Sequence, residues 1–137
     1  MYDLLRFAKA QEHGYERALA EIERGMKTSH WVWYIFPQVK GLGFSEKSRW
    51  FGIEDLGEAR AYLNDPTLGP RYVKCVNALL SNSEIPIKDI MGPLDAKKLQ
   101  SSLTLMLAAG GGEIVQKAID EFYDGKICEK TMQILSR

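Results

Sequence analysis

The sequence predicts an all-α protein, an irregular orthogonal bundle of about six to eight helices that forms one domain over residues 1–137. Apolar residues recur every three or four positions in several segments, which is the spacing of one helix face. Glycine, proline and aspartate separate these segments. With 45% hydrophobic and 26% charged residues, the chain has the composition of an ordinary soluble domain.

The first helix is predicted over residues 4–22. Asp3 is its expected N-cap, and Arg24-Gly25 places a cation in the last turn before a glycine that can adopt the left-handed conformation ending many helices. We expect Gly14 to kink or divide this helix.

The next region, residues 26–50, concentrates aromatic, cationic and glycine residues. Residues 31–36 form a buried apolar run that is too short to assign by period, and Pro37 disfavours a helical conformation at its end. The sequence Gly41-Leu42-Gly43 predicts a turn, after which Ser45 can cap a short helix.

The following helix has a recognisable start, because Asp55 and Glu58 have the spacing of a capping box. Another helix is expected to start near Pro70, since proline is tolerated only in a first helical turn.

Three further helices complete the predicted bundle. One begins after Pro93 and Asp95 and ends at the glycines 110–112. The others cover 114–122 and 128–135, the last with Met132 facing inward.

The two cysteines indicate neither a disulfide framework nor a metal site. Cys75 and Cys128 are far apart, and no cysteine or histidine group has ligand spacing, so we expect reduced thiols, no metal and no cofactor. The sequence shows no signal peptide and no apolar run of membrane-spanning length. We therefore expect a cytoplasmic protein with no membrane partner.

The charge is unevenly distributed. The formal net charge is +0, but residues 24–50 contain five cations against Glu46 alone, a local charge of +4. This pattern favours a small anionic ligand or an acidic patch over duplex nucleic acid, which usually requires a broader basic field. Self-association into a homo-oligomer stays open.

His30 is the best candidate for a general base or a phosphate-binding imidazole, since it lies in the cationic and aromatic segment. The alternative is a histidine that only satisfies a buried hydrogen bond. Adjacent Ser29 is not thereby an activated nucleophile, because that requires a spatial geometry. His13 is expected at the surface.

The aromatic residues of this segment could stack on a planar ligand. Burial in the core is the ordinary alternative, and we expect about one or two of the six to face a ligand. The six are Trp31, Trp33, Tyr34, Phe36, Phe44 and Trp50.

A phosphate could be held where the glycine turn leads into the helix capped by Ser45, with Lys40 and Arg49 close in sequence. An ordinary turn is the alternative, because the pattern lacks the features of a P-loop. A second group of polar residues lies on the helix around Asp95. Either this group faces a ligand, or Asp95 caps its own helix and Lys98 pairs with Asp95 at the surface. The candidate catalytic residues are therefore His30 and Asp95, and the candidate ligand-binding residues are Ser29, Trp33, Gln38, Lys40, Ser45, Arg49, Lys98, Ser101 and Ser102.

The segment from Ser29 to Gln38, SHWVWYIFPQ, followed by the glycine turn and Ser45, resembles the signature of the family called domain of unknown function 1810. The similarity continues through residues 58–71 and 95–105. It implies a compact, mainly helical domain of bacterial type and no established activity. Some members have been labelled calpastatin, but nothing here resembles a long disordered protease inhibitor.

Three functions follow from these observations. The first is binding of a small anionic ligand, a nucleotide or phosphorylated metabolite, in a pocket between segment 29–45 and helix 95–104. The second is an enzyme acting on such a ligand, with His30 and Asp95 in acid–base roles. The third is a protein-interaction domain that uses the aromatic segment.

Overall fold

The computed structural model describes residues 2–137, and this part of the chain is all-α. Nine helices are found where about six to eight were expected, because α2 and α6, of four and five residues, are too short to have been assigned as helices from the sequence. The short helix α3 follows Ser45 as predicted. The nine are α1 (Leu5–Arg24), α2 (Val32–Ile35), α3 (Glu46–Trp50), α4 (Leu56–Asn64), α5 (Leu68–Leu80), α6 (Ile87–Met91), α7 (Pro93–Ala108), α8 (Glu113–Tyr123) and α9 (Glu129–Leu135).

Two helices organise the packing. Helix α5 contacts α1, α4 and α8, while α7 contacts α2, α4, α6, α8 and α9. Their apolar residues belong to one continuous core, to which α1 and the residues around α2 also contribute. The segment 31–36, left unassigned by sequence, contains the short helix α2 and is buried at Trp31, Val32, Ile35 and Phe36.

Helix α1 is continuous through Gly14, so the expected kink is absent from it. A side chain at that position would meet Tyr34, since a Cβ atom built on Gly14 would lie 2.1 Å from the Tyr34 hydroxyl oxygen. Gly25 ends the helix with φ +82°, as predicted. The expected cap Asp3 is wrong, because the helix begins one residue later, after Leu4.

The end signals of the other helices are confirmed in part. The Asp55 carboxylate accepts the Glu58 N–H at 2.9 Å, whereas Glu58 accepts the N–H of Glu54 rather than that of the capping residue. Helix α7 begins at Pro93, so Asp95 lies inside the first turn and is not the cap. In α9 the predicted inward Met132 is 39% exposed, and Thr131 is buried instead.

A buried carboxamide joins four helices. Gln11 of α1 donates through Nε2 to the Tyr34 carbonyl oxygen at 2.8 Å and to the Tyr62 hydroxyl at 3.1 Å. Arg71 of α5 donates to Gln11 Oε1 at 3.4 Å. One side chain thereby ties α1 to α2, α4 and α5.

Within residues 2–137, no helix combines the length and the apolar character required to cross a bilayer. The same residues contain no cluster of three His, Cys, Asp or Glu side chains suited to a metal ion. Both cysteines are free thiols, Cys75 buried and Cys128 half-buried.

Candidate functional site

A buried carboxylate holds the loop that carries His30. Glu21, on the inner face of α1, is 3% exposed. Its Oε1 accepts the N–H groups of Thr28 at 2.6 Å and Ser29 at 2.9 Å and the Trp31 indole N–H at 2.9 Å, and its Oε2 accepts the Ser29 hydroxyl at 2.6 Å. Burial alone would raise the pKa of Glu21, but these four hydrogen bonds outweigh it and lower that pKa to about 2.

An ion-pair cluster holds the loop from the other side. Lys27 Nζ lies 2.7 Å from Asp95 Oδ2 and donates to the Ser29 carbonyl oxygen at 2.6 Å. Lys98 donates to Asp95 Oδ1 at 3.2 Å and lies 4.1 Å from the ring centroid of Trp33. Burial acts to raise the pKa of Asp95, but the hydrogen bonds from both lysines prevail, so that pKa lies below its ordinary value.

His30 lines a cavity of about 460 Å³ whose other residues come from the same loop, from α2 and from α1. We call it the histidine cavity, and define it by His13, Arg17, His30 and Tyr34. His13 and Arg17 are four residues apart on α1 and therefore lie on one helix face. Among residues 2–137, the side chains of His13, Arg17 and His30 take part in no ion pair.

Tyr34 provides an apolar wall and a hydroxyl in the histidine cavity. Its ring packs against Phe51 with centroids 5.7 Å apart, and its hydroxyl lies against Gly14, where only a glycine leaves room for it. Burial raises the pKa of Tyr34, and Arg17 acts in the opposite direction. The phenol is therefore protonated at neutral pH and can donate a hydrogen bond.

The other candidate cations lie elsewhere. Lys40 pairs with Glu54 at 3.6 Å, and together with Arg49 it lines a smaller cavity of about 270 Å³ that also contains Glu54 and Glu58. Ser45 caps α3 and accepts the Ser48 N–H at 3.2 Å. The local charge of +4 is thus spread over separate surfaces and is partly neutralised.

The remaining candidates have structural partners. Ser101 bonds to Thr131 at 2.7 Å and Ser102 to Tyr72 at 2.9 Å, and both serines are buried. A ligand-binding role for these two serines therefore has no support from the geometry. Gln38 and Trp33 line a small gap next to Phe51.

Segment 29–45 contacts the Asp95 helix at Trp33, whose ring centroid lies 4.1 Å from Lys98 Nζ, and Lys27, which precedes the segment, pairs with Asp95. The cavity at His30 has α1 as its other wall, however, and Asp95 does not line it. Both Asp95 oxygens are engaged by lysines. His30 and Asp95 therefore do not line the same cavity, and the structure gives no support to the hypothesis that they act as a pair.

Three residues that build this site, namely His13, Arg17 and Glu21, are absent from the candidates predicted from the sequence. A signal for Glu21 exists in the pattern of α1, whereas His13 and Arg17 are exposed and have none. The buried face of α1 repeats at helical spacing through Gln11, Gly14, Ala18 and Glu21. Polar residues on a buried face require partners, which points to a polar contact at that place.

Two aromatic residues of the segment lie at the surface. Phe44 is 80% exposed and Trp50 59% exposed, whereas Trp31 is 1% exposed. Phe44 precedes the short helix α3, Trp50 is the last residue of that helix, and neither lines the histidine cavity. That about one or two of the six aromatic residues face a ligand stays a prediction.

These features define a small all-helical protein with a surface cavity lined by imidazole, guanidinium and phenol groups. The comparison with protein families agrees with the resemblance noted in the sequence. The chain belongs to the DUF1810 family, described as a protein of unknown function, whose model matches residues 1–135.

A solved structure shares this fold. The crystal structure of the conserved hypothetical protein Rv1873 from Mycobacterium tuberculosis matches with a TM-score of 0.94 and 35% sequence identity, covering 99% of this chain and 98% of that one. A search of curated proteins finds no match.

Proposed function

We propose that this protein binds a small phosphorylated ligand in the histidine cavity. The observation that carries the proposal is the convergence of His13, Arg17 and His30 on one cavity without a carboxylate among the residues that line it. A guanidinium and protonated imidazoles favour an anion. The cavity volume of about 460 Å³ lies within the range of small-molecule sites.

The number of donors favours phosphate over carboxylate. Arg17 supplies up to five N–H donors, and each imidazole and the Tyr34 hydroxyl add at least one when suitably protonated. A carboxylate presents two oxygens, whereas a phosphate monoester presents three terminal oxygens and carries about two charges near neutral pH. The loop donors of Thr28 and Ser29 already bond to Glu21, so the binding groups are side chains.

This location differs from the pocket expected between segment 29–45 and helix 95–104. At that junction two lysines surround one carboxylate and hold the loop to α7. The junction therefore supports the site by fixing the loop, and α1 supplies the second wall of the cavity.

The proposal is tested with phenyl phosphate and benzoate, two ligands that share an aromatic ring and differ in their anionic group. Binding is measured by isothermal titration and by thermal shift, since a ligand of the native state raises the unfolding temperature. We expect phenyl phosphate to stabilise the protein and Arg17→Gln to weaken its binding about tenfold or more, the loss of one charge-assisted hydrogen bond.

Arg60→Gln is the matched control, because Arg60 is an exposed arginine of α4 outside the cavity and its loss should leave binding unchanged. If neither phosphate nor phosphorylated compounds bind, or if Arg17→Gln and Arg60→Gln behave alike, the proposed function is wrong.

The exposed rings of Phe44 and Trp50 favour a second candidate function, self-association through the surface around α3. Exposed apolar patches are typical of interaction surfaces, and these two side chains lie at and just before α3. Sedimentation velocity over a concentration series tests this candidate. A dimer that dissociates in Trp50→Ser would support it, and a monomer at all concentrations would exclude it.

A further inference from the structure

We infer that His13 and His30 act as an acid–base pair that cleaves a phosphodiester by attack of a neighbouring hydroxyl group within the same substrate. The step takes place on a ligand in the histidine cavity and therefore depends on the binding function proposed above. It differs from the His30 and Asp95 pair expected from sequence, since the second imidazole replaces the carboxylate.

The two imidazoles line the same cavity from two different segments of the chain. His13 lies on α1, whereas His30 lies on the loop that Glu21 and Lys27 fix from two sides. An in-line displacement at phosphorus has its attacking and leaving oxygens on opposite sides. Two imidazoles carried by separate segments can serve these two oxygens, one as the base and one as the acid.

Arg17 supplies the remaining component. It lies one helical turn from His13 and lines the same cavity, so its guanidinium can face the phosphoryl oxygens. Charge on those oxygens grows in the transition state, and a fixed cation there lowers the barrier. The Tyr34 hydroxyl is a further donor to them.

Both histidines of the cavity are exposed. A substrate that carries its own nucleophile suits such an open cavity, because the attacking group is already held close to phosphorus. A ribonucleotide phosphodiester, with a hydroxyl adjacent to the ester oxygen, has this property. Its one negative charge per phosphate also fits the cationic lining.

The step is balanced without a further reactant. The neutral imidazole accepts the proton of the attacking hydroxyl as its oxygen forms a bond to phosphorus. The bond from phosphorus to the leaving oxygen breaks, and the protonated imidazole donates its proton to that oxygen. The products are a cyclic phosphodiester and an alcohol, and proton exchange with water restores both imidazoles.

The test uses the dinucleotide uridylyl-3′,5′-adenosine and its 2′-deoxy analogue, with product formation followed by chromatography. We expect cleavage of the ribose form only. His13→Gln and His30→Gln should each lower the rate about 100-fold or more, as expected for loss of one proton-transfer group. Both histidines are exposed, so the variants should retain the unfolding temperature of the wild type.

A second substrate separates the acid from the base. In 2-hydroxypropyl 4-nitrophenyl phosphate the nitrophenolate leaves without being protonated, so loss of the acid matters little. One histidine variant should therefore retain most activity on this ester while losing cleavage of the dinucleotide, and the other should lose both. Equal losses on both substrates in both variants would indicate binding alone and would overturn the acid–base pair.

The outcome is distinguishable from failure of the proposed function. If phenyl phosphate binds and requires Arg17 but the dinucleotide is not cleaved, the acid–base pair is wrong and the binding function stands. Cleavage that persists in the double variant His13→Gln/His30→Gln comes from a contaminating nuclease and would likewise overturn the inference. If phenyl phosphate fails to bind, both are wrong.

Discussion

Replacing Glu21 by glutamine should destabilise the protein in a pH-dependent way. Glutamine keeps the shape of the side chain and one acceptor oxygen, which can still face the three N–H donors of Thr28, Ser29 and Trp31. The Ser29 hydroxyl can reverse and accept from the new amide. The substitution therefore removes mainly the charge.

The magnitude follows from the pKa of Glu21, which falls from 4.5 to about 2 in the fold. One pKa unit corresponds to ~1.4 kcal/mol, so the folded state favours the charged carboxylate by about 3 kcal/mol. Hydrogen bonds to a charged group contribute roughly 1.5–3 kcal/mol in mutational studies. We expect Glu21→Gln to lower the free energy of unfolding by about 2–3 kcal/mol at pH 7.

The sign of the pH dependence is determined by the direction of the shift. Because the pKa of Glu21 is lower in the folded state than in the unfolded state, the carboxylate stabilises the fold at every pH above the unfolded-state pKa. This stabilisation is lost as the pH falls from about 4.5 towards 2. At pH 3.5 the wild type should have lost about 1.4 kcal/mol of it. The difference between wild type and Glu21→Gln should therefore narrow from pH 7 to pH 3.5.

Urea unfolding at the two pH values measures this difference, and the indole N–H resonance of Trp31 reports on the local bond. Glu23→Gln is the control, because Glu23 is an exposed glutamate of the same helix and its replacement should cost less than about 0.5 kcal/mol. If the loss of unfolding free energy caused by Glu21→Gln is equally large at pH 7 and pH 3.5, the charge of Glu21 does not stabilise the fold.

Three further predictions concern other contacts. Gly14→Ala should lower the free energy of unfolding by about 1 kcal/mol in urea, because the new Cβ would meet Tyr34, although alanine has the better helix propensity. In a Tyr34→Ala background the same substitution should raise the free energy of unfolding. Asp95→Asn should lower the free energy of unfolding by about 2–3 kcal/mol at neutral pH, since it leaves the nearly buried Lys27 without its carboxylate. An effect no larger than that of Asn at the exposed position Asp89 would contradict a stabilising ion pair between Lys27 and Asp95. Burial raises the pKa of Cys75 to about 12, so a thiol reagent should modify Cys128 in the native protein and Cys75 only on unfolding. Equal rates of thiol modification in native Cys75→Ala and native Cys128→Ala would be inconsistent with this burial.

Much of the fold could be predicted because the signals are local. The glycine after Arg24 and the Asp55 cap act within a few residues of the helix end that they define, so the sequence carries their effect directly. Two local predictions were wrong. Helix α1 begins after Leu4, which makes no side-chain cap hydrogen bond, and in α9 the packing buries Thr131 and leaves Met132 exposed.

The site was less predictable because it depends on contacts between distant residues. His13 and His30 are separated in sequence by the end of α1 and a loop. The hydrogen bonds of Glu21 fix the face of α1 that this loop contacts, and the sequence does not show which residues those bonds join. Asp95 illustrates the converse, since its sequence position suggested a cap or a catalytic acid, whereas Lys27 binds it across the fold.

The carboxamide of Gln11 also limits which packings the chain can adopt. Its donor end faces Tyr34 and Tyr62 and its acceptor end faces Arg71, so its orientation cannot be reversed without placing like groups against each other. A slip of α1 by one turn along its neighbours would preserve much of the apolar contact but leave this amide unpaired in the core. Apolar packing alone would discriminate poorly among such slipped arrangements, and Gln11 confers uniqueness on the native one.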